Sequence, residues 1–202
     1  MIKFECLKCG RCCKQRYVCI YYSELNKFKK IKNKANKRVN LIPFRYYIDK
    51  TNKIIIDVIY RIDSKPCPFL KNNLCGIEAE KFISCKKFPI ATWIDLGFFS
   101  KLGFKRLYYD LDNDCSFLKK NRAFLNSIKN FKLEEIFKEE VVANQKDHEL
   151  WTINNSKIKK IVKEKKFEII IDYKLRKKDP NYLNSILTEW IHKPAHSYFG
   201  EL

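Results

Sequence analysis

The 202-residue chain is 46% hydrophobic, enough for one sizeable core or a domain with an appendage, so its nine cysteines are not needed merely to let it fold. The formal charge of +19 rests on 34 Lys against 8 Arg, and Lys, Asn, Ile, Phe and Tyr make up 100 residues, the bias of A/T-rich codons; lysine lacks the planar fork for base or phosphate recognition, so specific nucleic-acid binding is not favoured. No run approaches 18 apolar residues, the start has no apolar signal region, and five glycines compose neither GxGxxG nor GxxxxGK[ST], which excludes a membrane span, a secretory signal, a Rossmann site and a P-loop and predicts a soluble cytoplasmic protein.

In chain order the first feature is Cys6-Leu-Lys-Cys9-Gly-Arg-Cys12-Cys13, two overlapping CxxC steps with Gly10 free to turn backbone amides inward. Three sulfurs at spacing three can converge on one centre. Adjacent side chains usually diverge, so the pair Cys12-Cys13 implies two centres or a bridging thiolate. Cys19, in the apolar run 17–22, is expected to face the core, with Tyr17, Tyr21 and Tyr22 shielding the cysteine loop from water. Ser23 is placed to cap a helix over 24–37, whose stripe of Leu25, Phe28, Ile31 and Ala35 would cover that loop. Residues 39–61 read as a hairpin, with strands over 41–48 and 54–60 joined by the turn residues Asp49 to Asn52.

The hairpin leads to a second cysteine block: Cys67-Pro68-Phe69-Leu70, then Cys75-Gly76, then Cys85-Lys-Lys-Phe-Pro89, with a short helix over 78–85, and Cys115 later still. Trp93 to Leu111 reads as one or two strands broken at Gly97 and Gly103. The run Asp110-Leu-Asp112-Asn-Asp114 opens like a calcium loop but lacks the turn glycine and the closing glutamate, so it reads as a charged turn. Beyond it, helices are predicted over 131–150 and from Ser156 onward, a strand over 167–173, and a last helix capped by Asp179-Pro180 whose stripe Leu183, Ile186, Leu187 and Trp190 needs a partner. His192 and His196 have a helical spacing that Pro194 spoils, so these two and His148 read as structural or solvated. The basic stretches 27–38 and 157–178 read as solvated faces. Together these predict an α+β chain. Residues 1–118 form a small cysteine-ligated metal-cluster domain with a short antiparallel sheet, and 119–202 form a mostly helical region without an assigned role.

An odd cysteine count in a chain of this length argues against a disulfide framework and for metal ligation. Setting Cys19 aside leaves eight candidate ligands: Cys6, Cys9, Cys12, Cys13, Cys67, Cys75, Cys85 and Cys115. Eight thiolates divide into two four-ligand centres. Zinc modules want a second CxxC or HxxxH knuckle that is missing here, which makes zinc the alternative. Cys6-x2-Cys9-x2-Cys12 instead matches the first three ligands of a bacterial ferredoxin run, with Cys67-Pro68 able to supply the fourth, so an iron–sulfur cluster, most simply [4Fe–4S], is expected.

These motifs, in this order, resemble the YkgJ-type cysteine-cluster family, described as zinc- or iron-chelating and related to the flagellin lysine methylase FliB. The resemblance spans roughly residues 6 to 115. Where the family carries Arg-Pro ahead of the third late cysteine, this chain has Lys81-Phe82, a difference that touches packing more than ligation. The resemblance implies a metal or iron–sulfur site. The leading expectation is therefore a protein with one or two iron–sulfur clusters, acting with a redox or other protein partner in electron transfer or redox-assisted maturation. A lysine methylase of the FliB type, implied by the resemblance alone, is the enzymatic alternative, and a zinc-stabilised RNA- or protein-binding module is the third.

Overall fold

The computed structural model describes residues 2–94, 107–126, 133–165, 168–171 and 179–199. The architecture is α+β, with short antiparallel sheets and helices. The chain forms two compact units that interleave in sequence: Met1–Val18, Lys34–Arg38 and Lys65–Glu149 make the first, and Cys19–Asn33, Val39–Ser64 and Leu150–Leu202 the second. The predicted limit between 118 and 119 does not coincide with this division. Phe117 and Leu118 are buried with Ile136, Phe137 and Val141, so the chain continues through that point inside one core.

The second unit is built on the predicted hairpin. Strands β1 (Cys19–Tyr21), β2 (Leu41–Asp49) and β3 (Ile54–Ile62) pair antiparallel in the order β1-β3-β2, and β8 (Ile169–Ile171) adds to the outer edge of β2. A last strand, β9 (Ile191–Pro194), runs parallel to β3 along Ile54–Asp57, the part of that edge β1 leaves open. The turn closes because the Asp49 carboxylate accepts from the Asn52 backbone N–H at 3.1 Å and from its side-chain amide at 2.7 Å, while Lys53 takes a φ of 54°. The strands are apolar almost without alternation because both faces are covered. Tyr46, Ile48 and Ile55 pack against Leu183 and Ile186 of helix α8 (Pro180–Glu189), while Tyr47, Ile56 and Val58 pack with Ile158 of helix α7 (Lys138–Lys165). The stripe of α8 thus finds its partner in the hairpin, and Asp179 caps it by accepting from the Tyr182 N–H at 2.9 Å.

Two expected helices differ. The sequence predicts one helix over 131–150 and a second capped by Ser156. Instead a short helix α6 (Leu133–Ile136) precedes the single 28-residue α7. Asn154, Asn155 and Ser156 look like a break, yet each turns its side chain back onto the carbonyl four residues earlier, at 2.8, 3.0 and 3.0 Å, which lets the helix run through. The helix expected over 24–37 shrinks to α2 (Leu25–Ile31), with Ser23 inside a preceding 3-10 turn and not at the cap. Beyond Ile31 only Ala35 continues the stripe, and the Asn36 N–H donates to the Pro68 carbonyl at 2.9 Å, which a continuing helix would forbid. Leu25 packs into the core of the second unit, as do Tyr21 and Tyr22, so these residues build the sheet's core. Cys19 packs against the same core, as expected.

Among the described residues the sheets of the first unit are two-stranded ribbons. Strands β4 (Leu70–Lys71) and β5 (Leu74–Cys75) form one, and β6 (Ile90–Ile94) and β7 (Leu107–Leu111) the other. The predicted breaks at Gly97 and Gly103 lie outside the described residues. Short helices α1 (Arg11–Gln15), α3 (Ile83–Lys86), α4 (Ser116–Lys120) and α5 (Arg122–Asn126) complete it with α6 and the start of α7. The predicted helix over 78–85 is split into a 3-10 turn at Glu78–Glu80 and α3, with Cys85 in the latter. Among the described residues no helix is long and apolar enough to cross a membrane.

Candidate metal centre

All eight candidate cysteines lie in the first unit, and Cys19 lies in the second. Five segments deliver the eight: the N-terminal loop and α1, the loop before β4, β5, α3, and the residue capping α4.

Two aromatic contacts gather these segments. At one end Phe4 packs edge-on against Phe117 at 5.0 Å and beside Phe137 at 5.1 Å, and its backbone N–H donates to the Ile136 carbonyl at 2.9 Å. This pins the start of the chain to α4, so that Cys9 Sγ lies 3.1 Å from Ser116 Oγ, next to the buried Cys115. At the other end Phe69 and Phe82, both fully buried, meet with centroids 6.5 Å apart and hold the β4–β5 hairpin to the segment that carries Cys85.

The hairpin itself depends on local backbone chemistry. Asn72 and Asn73 both take positive φ, 48° and 63°, in a two-residue turn that pairs Leu70 with Cys75. Gly10 enters α1 with φ 67°, and a Cβ there would stand 3.2 Å from both the Asn73 carbonyl oxygen and the Leu70 side chain, so glycine lets α1 close onto the hairpin. The Cys67 N–H then donates to the Cys13 carbonyl at 2.7 Å.

Cys12 Sγ and Cys13 Sγ stand 3.9 Å apart, so the side chains of this adjacent pair do not diverge as expected. The Cys13 thiol donates to Cys12, which brings Cys12 down to about 6 against the opposing effect of burial. The same bond, with burial and the charges of Cys12, Cys67 and Cys75, holds the proton on Cys13. Burial raises Cys67, Cys75 and Cys115, and pushes Cys85 up to about 12. A charge at Cys12 raises all four of these thiols further, whereas a charge at Cys6 bears on Cys115. Cys9 is lowered by the Ser116 hydroxyl. Burial disfavours the Lys81 ammonium, but its 2.6 Å ion pair with Glu78 and the nearby Cys6 and Cys75 carry its pKa above the ordinary value.

Among the described residues, no three or more His, Cys, Asp or Glu side chains form a cage that holds a metal ion as they stand. The thiols are gathered without being closed into ligand geometry. The donor set is nonetheless the one an iron–sulfur or zinc centre takes, sulfur throughout in multiples of four. Packed thiols that repel one another when ionised are also a site where a bound cation relieves the cost of ionisation.

Ser116, Lys81 and the Asn72-Asn73 turn were not singled out from sequence; of these only the paired asparagines carry a local signal, as a two-residue hairpin turn. Other sequence candidates are occupied structurally. His192 Nδ1 lies 3.1 and 3.2 Å from the two carboxylate oxygens of Asp57 and its Nε2 3.1 Å from the Leu187 carbonyl, so both ring nitrogens are engaged in the second unit. Asp112 accepts from the Asp114 N–H at 2.9 Å and pairs with Arg16, consistent with a charged turn. Tyr17 is exposed, with the Lys65 ammonium 4.0 Å over its ring. No family model, curated protein or solved structure matches the chain.

Proposed function

We propose that this chain is a thiolate-ligated iron–sulfur protein of a reducing compartment, working in electron transfer or in the redox-assisted maturation of another protein. The observation that carries the reading is the sorting of the cysteines: eight of nine, drawn from five segments up to 109 positions apart in the chain, fall in one unit, with two aromatic contacts bringing their segments together. The ferredoxin-like spacing of Cys6, Cys9 and Cys12 and the resemblance to the YkgJ-type family support the same reading. When bound, the cluster supplies one-electron chemistry. The chain supplies thiolates, a partly buried site, and a cation at Lys81 that favours added negative charge.

One observation favours zinc as a second reading. Thiolates about 2.3 Å from a single tetrahedral ion lie roughly 4 Å from one another, and the 3.9 Å between Cys12 and Cys13 falls in that range, narrower than a cubane needs. Optical and paramagnetic-resonance spectra of anaerobically purified protein, before and after reduction, separate the two. The iron–sulfur reading expects brown protein whose visible absorption bleaches on reduction and returns on reoxidation without loss of iron. Colourless, air-stable protein holding stoichiometric zinc would replace it with the zinc module.

A further inference from the structure

We infer that the first unit docks an acidic protein, through a basic surface that α1, residues 34–38 and the β4–β5 hairpin build together beside the thiols. The inference names a partner chemistry for the redox reading above and rests on that reading for the partner's purpose, while the surface itself can be tested with or without metal.

Three segments of this unit meet. The Cys67 N–H donates to the Cys13 carbonyl, and Gly10 lies against Asn73. Asn36 ties residues 34–38 to the hairpin, its N–H donating to the Pro68 carbonyl at 2.9 Å and its side-chain amide to the Leu70 carbonyl at 3.1 Å. Residues 6–18, 34–38 and 65–77 together carry nine Lys and Arg and no Asp or Glu. Three of the nine are engaged: Arg16 pairs with Asp112, Lys34 pairs with Glu80, and Lys65 sits over the Tyr17 ring. The other six, Lys8, Arg11, Lys14, Lys37, Arg38 and Lys71, are exposed and make no ion pair among the described residues. On α1, Arg11 and Lys14 stand three residues apart on one exposed face, while Cys12 and Cys13 between them are half-buried. Like charges gathered without acids raise the local positive potential, and an acidic surface is its complement.

Apolar side chains lie within this field. Leu7 is 47% exposed and Leu74 52%, and they flank the junction of Gly10 with Asn73. Cys6 and Cys9, on either side of Leu7, are exposed too, so a partner seated there would cover the open side of the thiols. These features favour protein over RNA. Exposed leucines gain from burial against an apolar side chain and offer a base no hydrogen bond. The exposed aromatic of these segments, Tyr17, holds the Lys65 ammonium 4.0 Å over its ring, where a base would stack.

The test is a lysine-acetylation footprint of the wild-type chain, read by mass spectrometry in physiological salt with and without a synthetic peptide of repeated Glu-Glu-Leu. Acetylation of Lys8, Lys14, Lys37 and Lys71 should slow severalfold, while Lys159 and Lys163 in the second unit hold their rates. Lys14→Glu with Lys71→Glu should weaken peptide binding about tenfold, because two surface charge pairs turn from attraction to repulsion. Lys159→Glu with Lys163→Glu makes the same change of net charge and should leave binding within about twofold. Protection spread over both units, equal loss from the two pairs of variants, or no protection at all would overturn the inference and leave the metal reading standing. Localised protection by oligouridylate and not by the peptide would overturn it in favour of RNA. Localised protection by the peptide on a wild-type chain that binds neither iron nor zinc would uphold the surface and overturn the redox reading.

Discussion

The two units solve the same problem by different means. The second closes its interior with carbon: Ile48, Ile55, Ile56 and Val58 are fully buried, and helices α7 and α8 cover opposite faces of one sheet. Among the described residues the first has two small ribbons, short helices, an apolar cluster around Phe117 and Phe137 and the buried pair Phe69 and Phe82, together with eight thiols of which Cys67 and Cys115 are buried. Burial favours the neutral form of Cys67, Cys75, Cys85 and Cys115, and ionisation of Cys12 opposes theirs further. The comparison teaches that the second unit closes on an apolar core of sheet and helices, whereas the first gathers eight thiols, which on the reading proposed above are there to hold a metal centre.

The largest effect expected from that difference is metal removal. Thiolate-site binding free energies of about 10–16 kcal/mol act as folding free energy. Anaerobic chelation should therefore strip amide-exchange protection from the first unit, Cys67 to Cys85 above all, and leave β2 and β3 protected. Equal loss in both units would erase the distinction.

Core truncations sharpen it from each side. Phe82→Ala removes a fully buried ring from the contact that joins the hairpin to Cys85, costs about 3–5 kcal/mol, and should lower bound metal as well. Ile55→Ala in the sheet should cost about 2–5 kcal/mol with metal per chain unchanged. Denaturation midpoints and metal analysis of the two variants check both halves, and metal loss from Ile55→Ala would break the comparison.

The smallest effect lies in the second unit. Its hydrogen bond to Asp57 raises the His192 pKa above the ordinary 6.5. A raised histidine contributes stability that is fully present below about pH 6.5 and is lost as pH rises through the folded value. The urea midpoint of the second unit should fall across that window, and His192→Gln should flatten the fall. A wild-type midpoint independent of pH there would contradict the assignment.

Much of the second unit was legible because its signals are local. The hairpin strands, the Asp49–Asn52 turn and the Asp179-Pro180 cap each depend on neighbours in sequence. The continuous α7 was not legible, because the side-chain-to-carbonyl bonds that carry it through Asn154–Ser156 exist only once the helix has formed. In the first unit the cysteine spacing marked the candidate residues. It did not mark how they group, since that depends on Phe4 meeting Phe117 and Phe69 meeting Phe82 across more than a hundred residues in one case and thirteen in the other. The interleaving of the units was equally hidden: Val18 and Cys19 are neighbours in the chain, yet one belongs with the thiols and the other packs on the sheet.

The most direct test of the central claim is the iron and acid-labile sulfide content of protein purified without air, reported per chain. Two four-thiol centres holding [4Fe–4S] clusters predict about eight of each, falling toward zero together on exposure to oxygen. Protein that retains its fold and its free thiols with neither iron, sulfide nor zinc bound would contradict the claim that the first unit is organised around metal.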